Sequence, residues 1–208
     1  MHLLKVEHSA LREVLERVRD GRVHVARLTT QHELKYGGCL GPRGAASLGA
    51  CLAACAHLTT LALRGQRVGP HGGRALARGL KQAPALTYLD VSANALTASG
   101  AVPVCAAVVA SRGGRRLQVL LLDANRIDGP DCCAVLATGL KELRGRGRPA
   151  ALTRVSFTNN PGLEGLSRLH AEAAAAAHDE ALKGDAEGRQ LPLFVFPQVP
   201  SLARGSLV

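Results

Sequence analysis

With 208 residues, 47% of them hydrophobic, the chain is long enough for one sizeable domain with its own buried core. Lysine and arginine number 26 against 16 acids, and the resulting +10 favours a polyanionic neighbour: RNA, DNA, an acidic protein surface or an anionic membrane. No apolar run approaches the roughly 20 residues that span a bilayer, and aromatic residues at 2%, with no tryptophan, disfavour a base-stacking platform for nucleic acid.

The N-terminal segment MHLLKVEHSALREVLERVRD lacks the uninterrupted apolar stretch of a secretory signal. Glu7, Glu13, Glu16 and Asp20 are foreign to a mitochondrial presequence, so the expected location is cytoplasmic or cytoskeletal, an axoneme included. A mitochondrial address of unusual composition remains the alternative. Ser9 is placed to cap a helix whose Leu11, Val14, Leu15 and Val18 share one face, with Asp20-Gly21 as its stop. Residues 1–22 are therefore expected to form an N-terminal capping helix.

A single register then repeats along the chain. LTTLALRGQRV carries Leu58, Leu61, Leu63, Gln66 and Val68; LTYLDVSANAL carries Leu86, Leu89, Val91, Asn94 and Leu96. LQVLLLDANRI repeats it with Leu117, Leu120, Leu122, Asn125 and Ile127, and LTRVSFTNNPGL with Leu152, Val155, Phe157 and Asn160. VHVARLTTQHE, with Val23, Ala26, Leu28 and Gln31, is a weaker first copy. Each copy predicts a short strand with its alternate apolar residues turned inward, left through a polar side chain that satisfies backbone groups at the turn.

Starts at 23, 58, 86, 117 and 152 are separated by 35, 28, 31 and 35 residues, room for a full helix after each strand. GPHGGRALARGL, TASGAVPVCAAVVAS and GPDCCAVLATGLKEL supply such helices, with a turn-forming start and apolar residues at helical intervals. The pattern resembles the leucine-rich repeat, in its ribonuclease-inhibitor-like subclass, over residues 23–163 in four to five coils. That resemblance implies an α/β solenoid, short and curved, with a parallel sheet inside and helices outside, whose usual business is binding protein.

Beyond the repeats, EGLSRLHAEAAAAAHDEALKG predicts a C-terminal capping helix over 164–184, with Gly184 as terminator. Residues 185–208 form a Pro-rich, apolar tail: Pro192, Pro197 and Pro200 argue against a central strand, and Leu193, Phe194 and Phe196 are too apolar for an idle linker. The tail is expected to dock, on its own last repeat or on a partner.

Two surfaces are candidates for recognition. Arg112, Arg115 and Arg116 precede one strand, and Arg144, Arg146 and Arg148 hold the same place one coil later, so stacking gathers six arginines on a basic edge facing phosphate or an acidic protein surface. Solvated loops are the plain alternative. Arg146-Gly147-Arg148-Pro149 also matches the short AT-hook motif of minor-groove binders. A hook works as a free arm, however, and this one is tethered at both ends within a repeat.

The second surface is the inner face of the sheet, where Val25, Thr60, Tyr88, Val119 and Arg154 form one column and Arg27, Ala62, Asp90, Leu121 and Ser156 another. Thr29, Arg64, Ser92, Asp123 and Thr158 form a third along the strand exits. Tyr88, Val119 and Leu121 are expected as an exposed apolar centre, with Arg64, Asp90, Asp123 and Arg154 as its charged rim, the composition of a protein-binding patch.

Catalytic chemistry has little support. Cys51 and Cys55 with His57 lack a CxxC pair and a fourth ligand, so no metal is expected. Cys132 and Cys133 are adjacent, so one is expected in the core and the other outside it as a candidate reactive thiol. His170 and His178 suit a solvated helix face, and GPRGAASLG neither follows a strand with nucleotide-binding spacing nor carries a phosphate-binding lysine. No cofactor and no small-molecule substrate are expected. The sequence points to a non-enzymatic interaction module, a structural subunit or adaptor in a large assembly such as an axonemal or microtubule complex, with acidic protein as partner. The alternatives are a ribosome-type ribonucleoprotein component, holding RNA phosphates through the basic edge, and a soluble inhibitor or adaptor.

Overall fold

A computed structural model describes residues 16–17, 20, 25–27, 39–110, 116–129, 131–146, 151–161 and 193–195. In chain order these contain β1 (Val25–Arg27), α1 (Gly41–Leu52), β2 (Thr60–Ala62), α2 (Gly69–Leu80), β3 (Tyr88–Asp90), α3 (Ala98–Ala110), β4 (Val119–Leu121), α4 (Asp131–Gly145), β5 (Arg154–Ser156) and β6 (Leu193–Val195). The strands form one parallel sheet in sequential order from β1 to β6. The expected capping helices over 1–22 and 164–184 lie outside the described residues apart from Glu16, Arg17 and Asp20.

The repeat explains why this topology is stable. Leu61, Leu89, Leu120 and Val155 occupy the middle of successive strands, and each is 2% exposed or less. Leu63, Val91, Leu122 and Phe157 follow two residues later and are sealed as well. From the other side Leu48, Leu76, Val108 and Leu136 close the core from the helices. No coil buries its apolar face alone; each does so against the coils beside it.

At the strand exits the side chains of the polar repeat position form a ladder. Asn94 Oδ1 accepts the Val68 amide at 3.2 Å while its Nδ2 donates to the Leu63 carbonyl at 2.7 Å, both in the preceding coil. Asn125 repeats this on Asn94 and Leu96 amides and the Val91 carbonyl, and Asn160 on the Ile127 amide and the Leu122 carbonyl. Gln66 accepts the Leu40 amide at 3.1 Å, but its buried Nε2 finds no partner among the described residues. The extra methylene of glutamine keeps the acceptor and displaces the donor.

Close helix packing depends on missing side chains. A Cβ at Gly49 would stand 2.6 Å from the Ala75 carbonyl oxygen, and one at Gly79 would fall inside the Gly49 carbonyl. These two glycines set the approach of α1 to α2. α3 is the outlier: Ala98–Ala110 contains no charged residue, because both of its flanks are covered by α2 and α4.

Candidate functional site

The sheet register brings the inner-face residues into contiguous columns. Thr60 aligns with Tyr88, Tyr88 with Val119, Val119 with Arg154, and Arg154 with Leu193. The second column runs Ala62, Asp90, Leu121, Ser156 and Val195, with Val25 and Arg27 of β1 beside Thr60 and Ala62. Backbone bonds carry the pairing past the strands, Gly65 to Ser92, Ala93 to Asp123 and Ala124 to Thr158 at 3.0, 2.8 and 2.8 Å. The third column, Arg64, Ser92, Asp123 and Thr158, is thereby aligned; Thr29 lies outside the described residues.

Tyr88, Val119 and Leu121 are half-buried, whereas the leucines between them on the same strands are sealed. They stand together at the centre of the face, with Thr60 and Ala62, also half-buried, on one side and exposed Arg154 on the other. Arg64 is exposed at the exit of β2.

The acids behave differently from the arginines. Asp90, read from the sequence as rim, is only 8% exposed, and its Oδ1 accepts the Ser92 amide two residues on at 2.9 Å. Asp123 is half-buried; its Oδ1 accepts the Ser156 hydroxyl at 2.5 Å and the Thr158 amide at 2.8 Å. These carboxylates are engaged in turns and in coil-to-coil stitching. Only the Ser156 hydroxyl, one coil after Asp123, is a donor with a signature in the sequence; the Ser92 and Thr158 amides would be offered by any residue but proline. Reading residues by charge alone passes over that signal.

Other residues escaped the sequence reading. Arg67 and Arg126 follow the ladder residues Gln66 and Asn125 and are exposed at the same strand-exit edge. Thr87 and Thr153 donate their hydroxyls to the Thr59 and Gln118 carbonyls of the preceding coil, both at 3.1 Å, and stitch the strand entrances. A threonine after the first leucine of three copies is the visible signal.

Of the basic edge, Arg116 and Arg146 are exposed, and Arg146 pairs with Glu142 one helical turn away at 3.7 Å. With both partners well exposed, that pair contributes little. Arg144 lies in the last turn of α4, while Arg112, Arg115 and Arg148 lie outside the described residues, so the gathered ridge and the AT-hook motif do too. In the tail, Leu193 and Phe194 belong to β6, and Phe194 aligns with Val155; Phe196 lies outside the described residues.

The expected division of Cys132 and Cys133 is corrected. Both are buried, at 0% and 9%, because α4 packs along α3 as well as over the core and so is covered through a wider sector than one stripe. Burial pushes the Cys133 thiol up to about 12 and Cys55 to about 11. Cys105 is held well above its ordinary value by its hydrogen bond with Cys132 and by burial. These are the properties of inert core thiols. Among the described residues no three histidine, cysteine or carboxylate side chains are gathered to hold a metal, and no helix is long and apolar enough to cross a membrane.

No protein-family model matches the chain, and no curated protein does. Among solved structures it is similar to the leiomodin-1 actin-binding site 2 (ABS2), with a TM-score of 0.62 and 20% identity over 85% of this chain and 94% of that one. At that identity the likeness speaks to fold alone. Together with the six-stranded parallel sheet and the asparagine ladder, it makes the chain a leucine-rich-repeat solenoid.

Proposed function

We propose that this chain is a non-enzymatic protein-interaction module that holds a protein partner on the inner face of its sheet, as a structural subunit or adaptor of a large cytoskeletal assembly of the axonemal or microtubule type. The observation that carries this reading is the cluster of Tyr88, Val119 and Leu121, left half-exposed at the centre of the inner face while Leu61, Leu89, Leu120 and Val155 on the same strands are sealed. Contiguous apolar surface with a charged border is what an interface leaves on an isolated subunit. The charge of +10 suits an acidic polymer lattice. The similarity to a domain described as an actin-binding site supports a cytoskeletal polymer, and makes actin filaments the second polymer to test.

The test is co-sedimentation of the full chain with microtubules and with actin filaments, alongside sedimentation of the endogenous protein with and without ribonuclease. Pelleting with a polymer, insensitive to nuclease and lost in Val119→Asp or Leu121→Asp, is the expected result. Migration as a nuclease-sensitive particle would replace this reading with the ribonucleoprotein alternative.

A further inference from the structure

Resting on the inner-face reading, the geometry points to a partner segment of one chemistry: an apolar stretch flanked on both sides by carboxylates, which reach Arg64 at one corner of the face and Arg154 at the other. The sequence alone implies a rim of mixed sign, able to receive either charge. The hydrogen bonds remove that symmetry. Asp90 is buried under its turn, and Asp123, half-buried, is held back by the Ser156 hydroxyl and the Thr158 amide on one carboxylate oxygen, so both acids are drawn into the sheet and the arginines stand out beyond them.

The cations have no such engagement. Arg64 and Arg154 are exposed, as are Arg67 and Arg126 at the strand exits, and among the described residues none of the four guanidinium groups has a hydrogen bond or an ion pair. A guanidinium held at the edge of an apolar patch, with no internal carboxylate, is a ready bidentate site for an external one.

The spacing defines the ligand further. Arg64 and Arg154 are three strands apart and four residues apart along the strands, a diagonal of roughly 20 Å at the backbone. The line between them crosses Asp90 and passes between Val119 and Leu121. With the arginine side chains turned inward or outward, flanking carboxylates roughly 10–20 Å apart are within reach, two to three turns of a helix at about 5.4 Å each. The stretch between them meets Val119 and Leu121 and is therefore apolar there.

A phosphate backbone suits this face poorly. Its charges recur every nucleotide and would lie over the aliphatic centre, with Tyr88 as the lone ring among the described column residues on which a base might stack.

Random peptides displayed on phage, selected on the immobilised full chain, test this directly. Enriched peptides should carry Asp or Glu on both sides of an apolar core. Arg64→Glu and Arg154→Glu should each weaken the best of them by more than about tenfold, while Arg43→Glu on α1 and Arg78→Glu on α2, both exposed and on the helical side of the solenoid, should leave it unchanged. All four sites are exposed, and an unchanged melting temperature certifies each variant. If enriched peptides lack acids, or bind Arg64→Glu and Arg154→Glu as well as the parent, the acidic class is overturned. In that event loss of binding in Tyr88→Ala/Leu121→Ala leaves the inner-face reading standing, and retained binding removes both. Failure to enrich any peptide overturns the inference, as does displacement of the selected peptide by single-stranded RNA through the same two arginines.

Discussion

Asn125 makes five hydrogen bonds from one buried side chain, two accepted at Oδ1 and three donated from Nδ2, and they join its own turn to the coil before it. Asn125→Ala leaves several buried backbone groups unpaired and should cost about 3 kcal/mol or more, read from chemical denaturation. The residue before the ladder position adopts a left-handed backbone in every described coil: Gly65 at φ 75°, Ala93 at 55°, Ala124 at 52° and Asn159 at 57°. Glycine and asparagine accept that conformation readily and alanine does not. Ala93→Gly and Ala124→Gly should therefore each raise stability by about 0.5–1 kcal/mol despite the looser unfolded chain, the reverse of the usual alanine-to-glycine effect. The buried thiols set a pH limit. With Cys133 near 12 and Cys55 near 11, against 9.0 in the unfolded chain, the folded protein keeps protons that the unfolded one releases. Stability is thus unaffected by these groups below about pH 9 and falls as pH rises from there toward about 12. Denaturation midpoints between pH 8 and 11 check the sign, and Cys133→Ala should flatten the fall.

At the level of elements, the packing of α1 on α2 rests on two glycines rather than on large side chains. Gly79→Ala drives a methyl into the Gly49 carbonyl, and rigid backbone on both sides leaves it nowhere to go. It should destabilise by about 2–3 kcal/mol, as overpacking does, and the loss should appear first as weakened amide protection in α1 and α2, while β4 and α4 remain protected. The helices were legible from their apolar spacing, but their closeness was not. Glycine in a helical pattern reads as a weak helix former until a neighbouring backbone is seen to need the space. The strands were legible too, through leucines two and three apart. The pair Cys132-Cys133 shows where such reading stops: one helix pattern defines one buried stripe, and a second covered flank arises only when α3 is laid alongside.

For the whole molecule, the six-stranded sheet ends on a strand that no repeat supplies. β6 adds three tail residues parallel to β5, with Pro192 immediately before it and Pro197 two residues after it. Phe194→Pro removes the central amide and should lower the melting temperature by several degrees; an unchanged value would mean that the tail leaves β5 in solution.

The sequence by itself determined the solenoid, the order of its strands, the columns of the inner face and the ladder positions, because each follows from a periodicity that a parallel register merely stacks. It could not determine which charges remain available on that face. Asp90 and Arg64 look alike in a sequence, as polar residues on an outward-facing position. Only the neighbouring coil, presenting Ser156 and Thr158 to Asp123, and the local turn, presenting the Ser92 amide to Asp90, decided that the acids are engaged and the arginines are not. Hydrogen bonds between coils link residues some thirty positions apart, and the tertiary structure alone brings them within reach.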